Sequence, residues 1–250
     1  LLEKVRAAGN IRVFTETTVT GWFDHSWLAA VRGHRLYKIR AGAVVLASGA
    51  LERPLLFENN DLPGVMLGSA AQRLLRLHSV KPGQRAVVMT ANDDGWEVAA
   101  DLRAAGVEVV AMADERERAA SSSARVDALS ADVPVFWRHT VAAAHGGSAV
   151  QAATIVPLDG DGDTQAPRHR QDCDLLLVSV GWTPNTGLAY QAGVRFGFDE
   201  KRAELTARDM PENFAIAGRA AGTHLLEHEL AEGALAGRSM AAAAGRGDAP

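Results

Sequence analysis

The sequence predicts an α/β protein built from two units, and three observations carry that prediction. Apolar runs of strand length alternate with helical repeats, Arg85 to Asp114 reads strand, turn, helix, strand within 30 residues, and Leu62-Pro63-Gly64 punctuates the chain between two such regions. At roughly 150 residues per domain, 250 residues allow one large domain or two modest ones. Hydrophobic residues at 47% and charged residues at 22% are those of a packed globular chain, which excludes disorder, collagen and coiled coil.

Residues 1 to 9 read as the last turns of a helix ended by Gly9-Asn10. The β-branched run Ile11 to Thr20 predicts a strand, followed by strands at Trp27 to Val31 and Leu36 to Ile39 and a buried-type run Ala43 to Ala47. Beyond Gly64, Ser69 is placed to N-cap a helix from Ala70 to His78. Arg85 to Thr90 is a strand, and Ala91 to Gly95 a polar turn. Trp96, Val98, Ala99 and Leu102 recur at helical spacing, and Val107 to Met112 is a second strand with Asp114 at its end. A short helix is expected over Ser121 to Asp132, strands over Pro134 to Thr140 and Ala149 to Leu158, and a polar loop over Asp159 to Asp172. The strand Asp174 to Val180, a helix near Leu188, a strand Phe214 to Ala217 and an Ala-rich helix from about Thr223 to Ala244 complete the order.

Composition narrows the function. With 26 Lys and Arg against 30 Asp and Glu, the net charge of −4 opposes a phosphate backbone, and no basic stretch carries interleaved aromatics, so no nucleic-acid partner is expected. No apolar run approaches the roughly 20 residues that span a bilayer, and no membrane role is expected. The one cysteine, Cys173, cannot pair within the chain, which fits a reducing cytoplasm and a packing thiol. A start at Leu1-Leu2-Glu3-Lys4 is neither an initiator Met nor a signal peptide, so the chain is expected to be a fragment of a longer protein.

The segment Arg85 to Asp114 has the layout of a Rossmann-like βαβ unit, in which glycines let the backbone approach a pyrophosphate and a helix N-terminus faces it. The positions matching G-x-G-x-x-G are Thr90, Asn92 and Gly95, so two of three glycines are missing. Asp114, 19 residues after Gly95, stands where a carboxylate would accept ribose hydroxyls, while Asp93 and Asp94 would repel a phosphate. A unit that no longer binds its own dinucleotide is the favoured reading.

Two other strand ends are richer in small residues: Leu46-Ala47-Ser48-Gly49-Ala50, and Ile216-Ala217-Gly218-Arg219-Ala220-Ala221-Gly222 before a long helix. Each lets a flat or phosphorylated ligand pass close to the backbone. Gly181-Trp182-Thr183-Pro184-Asn185-Thr186 follows another apolar strand. His224 and His228 have the i, i+4 spacing of zinc ligands without a third, and read as a helix-surface pair with no metal. Asp159, Asp161 and Asp163 alternate like a calcium loop, but Thr164 and Arg170 occupy the glycine and glutamate positions, so a solvated loop is expected. No catalytic residue is assigned.

Through Val45 to Gly49, Val178 to Thr186 and Phe214 to Gly218, the chain resembles the two-dinucleotide-domain flavoprotein disulfide reductase superfamily. More narrowly, Gly21 to His25, Gly49 to Leu55, Asn59 to Leu67 and Thr90 to Asp94 are similar to the α subunits of heterotetrameric sarcosine oxidases. The resemblance implies a glutathione-reductase-like pair of Rossmann-like units, the first truncated at its N-terminus. Residues 1–60 and 182–250 would be C-terminal parts of the first dinucleotide-binding domain, 61–181 an inserted second domain, and the first G-x-G-x-x-G would lie upstream of Leu1.

The same resemblance implies NAD at the first-domain site, FAD or FMN as possible cofactors, and FMN shared with a flavin-bearing β-type partner subunit on which a small amine, sarcosine, is oxidised. Backbone contacts would come from Ala47, Ser48, Gly49, Ala50, Ala217, Gly218, Arg219, Ala220 and Gly222, with Asn185 ordering its loop. Arg219 departs from the superfamily's Gly-Asp pair, which favours NAD over FAD there. Without paired cysteines, disulfide reduction is excluded. Two alternatives stand beside this reading: the α subunit of a related amine, opine or amino-acid dehydrogenase using FAD, and a non-catalytic nucleotide-bound scaffold.

Overall fold

The computed structural model describes residues 2–118, 124–158, 167–200 and 204–246. The chain has an α/β fold and divides into two compact units, Leu1–Leu51 with Thr183–Pro250, and Glu52–Trp182.

The second unit is a three-layer Rossmann-like assembly. Its central sheet is five-stranded and parallel, in the order Val65–Leu67, Leu175–Ser179, Arg85–Thr90, Glu108–Asp114, Val135–Trp137. Strands covered on both faces need apolar residues on both, which is why Ala86 to Met89 and Leu175 to Leu177 are fully buried runs. Ala86, Val88, Leu175 and Leu177 face a core shared with Trp96, Val98, Ala99 and Leu102 of the helix Asp94–Ala104. Val87, Met89 and Leu176 face the opposite core, with Val141, Ala144, Ala153 and Ile155 of an antiparallel sheet formed by His139–His145, Ala152–Pro157 and His169–Asp172. Cys173 belongs to this second core, and burial pushes its thiol up to about 11, the state of a packing residue rather than a nucleophile.

Several expectations are corrected. Residues 52–60, expected in the first unit, lie with the second: Leu55 and Phe57 pack on its core, Glu58 N–H donates to Ala142 O at 3.1 Å, and Asn59 Nδ2 donates to Ala144 O at 3.0 Å. The helix Gly68–His78 is not capped by the Ser69 side chain; the Ser69 N–H instead donates to the buried Glu52 carboxylate at 2.8 Å. The expected strand Pro134 to Thr140 is broken at Arg138, whose φ of 57° turns the chain from the central sheet into the antiparallel one. His169–Asp172, expected as the end of a polar loop, instead forms a strand paired with Ala152–Pro157. The residues of the calcium-like reading, Asp159, Asp161, Asp163 and Thr164, lie outside the described residues.

The first unit holds a three-stranded meander, Thr18–Phe23, Trp27–Arg32 and Arg35–Arg40, a parallel pair of Val44–Leu46 with Phe214–Ile216, and an antiparallel pair of Arg195–Asp199 with Glu204–Asp209. Its core gathers Leu46, Ala189, Val194, Phe214, Ile216 and Ala220. The strand expected from Ile11 begins only at Thr18, and Ile11 and Val13 are exposed. The run Ala43 to Ala47 is a strand only over Val44–Leu46, and Val45 is exposed on the face opposite Val44 and Leu46, which meet the core. The last helix is Leu226–Ala243, preceded by a tight turn at Gly218–Ala221, so it starts later than the Ala-rich pattern suggests. No helix among the described residues is long and apolar enough to cross a membrane.

Candidate functional site

The parallel pair of the first unit brings the two small-residue strand ends together. Phe214 lies opposite Val44 and Ile216 opposite Leu46, and Ala217 N–H continues the ladder to Leu46 O at 2.9 Å. Both strands then turn through glycine: Gly49 has φ of 72° and Gly218 has φ of 71°. A Cβ at either position would meet nothing within 4 Å, so the backbone at each strand end faces open ground. Left-handed backbone with vacant space above it suits the close passage of a ligand, and both properties would be lost with any side chain.

Asn185 joins this site through its backbone, donating N–H to Gly49 O at 2.9 Å and accepting from Ser48 Oγ at 2.6 Å. Ala47, Ser48 and Asn185 are exposed, whereas Ala217, Ala220 and Gly222 are buried and form the floor. The turn at Gly218 closes with Gly222 N–H on Arg219 O and Thr223 N–H on Gly218 O. Arg219 pairs with Glu229 at 3.5 Å. The residue missed in the sequence is Glu232, whose Oε2 accepts the Gly218 N–H at 2.7 Å. Only its position three residues after Glu229, on the same helix face, hinted at it. Ala47 to Ala50, Asn185 and Ala217 to Gly222 are therefore one locality, with exposed backbone on one side and a carboxylate on the other.

The turn of the second unit is closed by its own side chains. Thr90 Oγ1 bonds Asn92 O at 2.8 Å and Ser179 O at 3.0 Å. Asn92 Oδ1 accepts the N–H groups of Asp94 at 3.0 Å and Gly95 at 3.4 Å, the helix donors that would otherwise face a pyrophosphate. Asp114 is fully buried: Oδ2 accepts from Trp96 Nε1 and Arg116 Nη2, each at 2.9 Å, and Oδ1 from Arg116 N and Nε at 2.9 and 3.1 Å. Arg116 also reaches Asp93 at 2.9 Å. Burial draws its basicity down, but the carboxylates of Asp114 and Asp93 outweigh that and hold its pKa above the ordinary value. Asp93 and Asp94, whose charges are expected to oppose a pyrophosphate, are engaged by cationic and indole donors, Asp94 accepting from Trp182 Nε1 at 2.5 Å.

Gly95 is required by packing. A Cβ there would lie 2.4 Å from Thr90 Cβ and 2.3 Å from its Oγ1. Gly95→Ala is expected to destabilise the unit by about 1 to 3 kcal/mol through overpacking. Urea unfolding of the full chain checks this, and an unchanged midpoint would mean that the strand and helix separate at no cost.

The histidine pair does not share a helix face, because His224 precedes the helix that contains His228. No group of three or more His, Cys, Asp or Glu that could hold a metal occurs among the described residues.

Residues 3–209 match the family model described as pyridine nucleotide-disulphide oxidoreductase. The chain is 32% identical over 93% of its length to the sarcosine oxidase subunit alpha of Rhizobium meliloti (strain 1021), covering 24% of that protein. It is also 32% identical over 97% of its length to that of Corynebacterium sp. (strain P-1), covering 26%. The chain thus spans about a quarter of the length of these curated relatives. Among solved structures, the L-proline dehydrogenase of P. horikoshii superposes with a TM-score of 0.71 at 24% identity, over 97% of this chain and 43% of that one.

Proposed function

The chain belongs to the pyridine nucleotide-disulphide oxidoreductase family, and from that premise we propose that it holds the dinucleotide of an oxidoreductase subunit that supports oxidative demethylation of sarcosine. The observation that carries this reading is the pair of glycine turns, Gly49 and Gly218, at the ends of two paired parallel strands, each left-handed and each open above the backbone. Residues present there suit a dinucleotide: Ala47 to Ala50 and Ala217 to Gly222 offer close backbone approach, and Asn185 fixes the first turn through two bonds.

NAD is the proposed occupant, since Arg219 and the carboxylates of Glu229 and Glu232 leave no free acidic residue directly after Gly218. A flavin on a β-type partner subunit would supply the hydride-accepting ring. The residues of this chain orient and enclose, and none of them takes a proton from the amine. Disulfide reduction is not proposed, as these 250 residues contain one cysteine and it is buried.

Nucleotide extraction from the full-length subunit, followed by chromatography, tests the reading. One equivalent of NAD per subunit is expected, and sarcosine is expected to reduce an added acceptor only when the flavin-bearing subunit is also present. FAD in place of NAD would move the protein toward a dehydrogenase of another amine, and absence of any nucleotide would sink the proposal.

A further inference from the structure

Taking the flavin-bearing partner subunit proposed above as premise, we infer that it docks on the outward face of the first unit's three-stranded meander. An aromatic centre there meets apolar surface of the partner, and a basic edge meets its carboxylates.

The register of the meander sorts its residues between two faces. Trp22 lies opposite Leu28, and Leu28 opposite Ile39; this face looks inward, where the Trp22 ring meets Phe214 of the first core edge-on, centroids 5.2 Å apart. On the other face Phe23 lies opposite Trp27, and Val31 opposite Leu36. A sheet with one wet face alternates apolar with polar residues. The middle strand does not: Trp27 to Val31 contains no polar side chain save the indole N–H, the pattern of a strand covered on both faces. Yet Phe23 is 60% exposed, Trp27 40% and Leu36 56%.

Two features hold the aromatic pair in place. Gly21 is buried, and a Cβ there would lie 3.0 Å from Phe23 Cε2, so the ring lies back along the sheet over a residue without a side chain. The turn between the two strands carries His25 and Ser26 at φ of 58° and 57°, left-handed without glycine. Such backbone persists where its surroundings over-determine it. Here Ser26 O accepts the Ala41 N–H at 3.1 Å, and Ser26 Oγ accepts from Asn213 Nδ2 at 2.9 Å. Aromatics fixed in this way lose little freedom on binding and suit the anchors of a protein interface.

Charge identifies the occupant. Residues 18–40 carry four cations and one carboxylate, in a chain whose net charge is −4. Arg32 is paired with Glu16 at 3.6 Å, but Lys38 and Arg40, both on the outward face, have no acidic partner among the described residues. A second copy of this chain docked face to face would bring the same cations and only Asp24 to meet them. Cations on an edge strand also deter strand addition, which leaves the face for the contact. A different protein surface, apolar at its centre and acidic at its rim, is the complement.

The test uses the full-length subunit and its purified flavin-bearing partner, with binding followed by surface plasmon resonance and acetylation of Lys38 by mass spectrometry. Lys38 should be reactive in the isolated subunit and shielded in the complex. Trp27→Ser should raise Kd at least tenfold, and Lys38→Glu with Arg40→Glu should slow association at least tenfold at low salt, each with unchanged bound nucleotide. Should Trp27→Ser melt below wild type, the charge-reversed variant decides alone. Wild-type association by the charge-reversed variant overturns the inference, as does equal labelling of Lys38 in subunit and complex. Lys38 already shielded in the isolated subunit overturns it too, since the face is then covered by its own chain or a second copy. Failure of wild type to bind the flavin-bearing subunit at all would instead overturn the partner reading, and this inference with it.

Discussion

Asp114→Ala is expected to cost the full chain about 3 kcal/mol of unfolding free energy while leaving its bound nucleotide unchanged. Removing one partner of a buried, hydrogen-bonded ion pair costs about 3 to 5 kcal/mol, because the other partner stays behind unpaired. Here the indole N–H of Trp96, a residue almost wholly buried, would lose its acceptor, and Arg116 would lose one carboxylate while keeping Asp93. That retained partner puts the cost at the low end of the range. Urea unfolding beside nucleotide extraction separates the two readings of this carboxylate. A structural Asp114 moves the midpoint and not the nucleotide content; a ribose ligand would do the reverse, and that outcome would restore a dinucleotide site to the second unit.

Gly218→Val is expected to lower nucleotide occupancy at least tenfold, equivalent to about 1.4 kcal/mol of lost binding. No protein atom lies within 4 Å of the Cβ position, so inside the protein the substitution meets only backbone strain, about 1 to 2 kcal/mol for an L side chain held left-handed. Gly193 supplies the control, with φ of 91° and equally open surroundings next to the helix Gly187–Gln191. Gly193→Val should lose comparable stability and no nucleotide. Full occupancy in Gly218→Val would place the cofactor elsewhere and withdraw the site.

Much of this was legible in the sequence where the signal is periodic. Ala86 to Thr90 and Leu175 to Ser179 are buried on both faces, so every residue reports the same environment, and Trp96, Val98, Ala99 and Leu102 mark one helix face. The start of the first strand was misplaced because Ile11 and Val13 are β-branched yet exposed, and propensity alone cannot tell a strand from an extended lead-in. The cap of Gly68–His78 was misassigned because the acceptor, Glu52, comes from 17 residues upstream instead of from the adjoining serine. Glu232 was missed for the same reason: its bond to Gly218 is tertiary, and no local motif encodes it. The closed turn at Thr90 to Gly95 was readable as degenerate from its missing glycines, but not the self-capping by Asn92 or the locking of Asp114 by Arg116.

The pairing order of the second unit has a consequence in time. Leu175–Ser179 sits between Val65–Leu67 and Arg85–Thr90, so one of the sheet's three inner strands is the last of the five to leave the ribosome. Until it arrives, Val65–Leu67 has no neighbour in this sheet, and one edge of Arg85–Thr90 stays unpaired. In the first unit Val44–Leu46 waits still longer for Phe214–Ile216. Pairings this distant make refolding slow, since each closes a long loop before it gains any contact. Such a nascent chain presents unpaired strand edges for most of its synthesis, and a chaperone that covers them should raise the yield of native protein more than any change in its final stability.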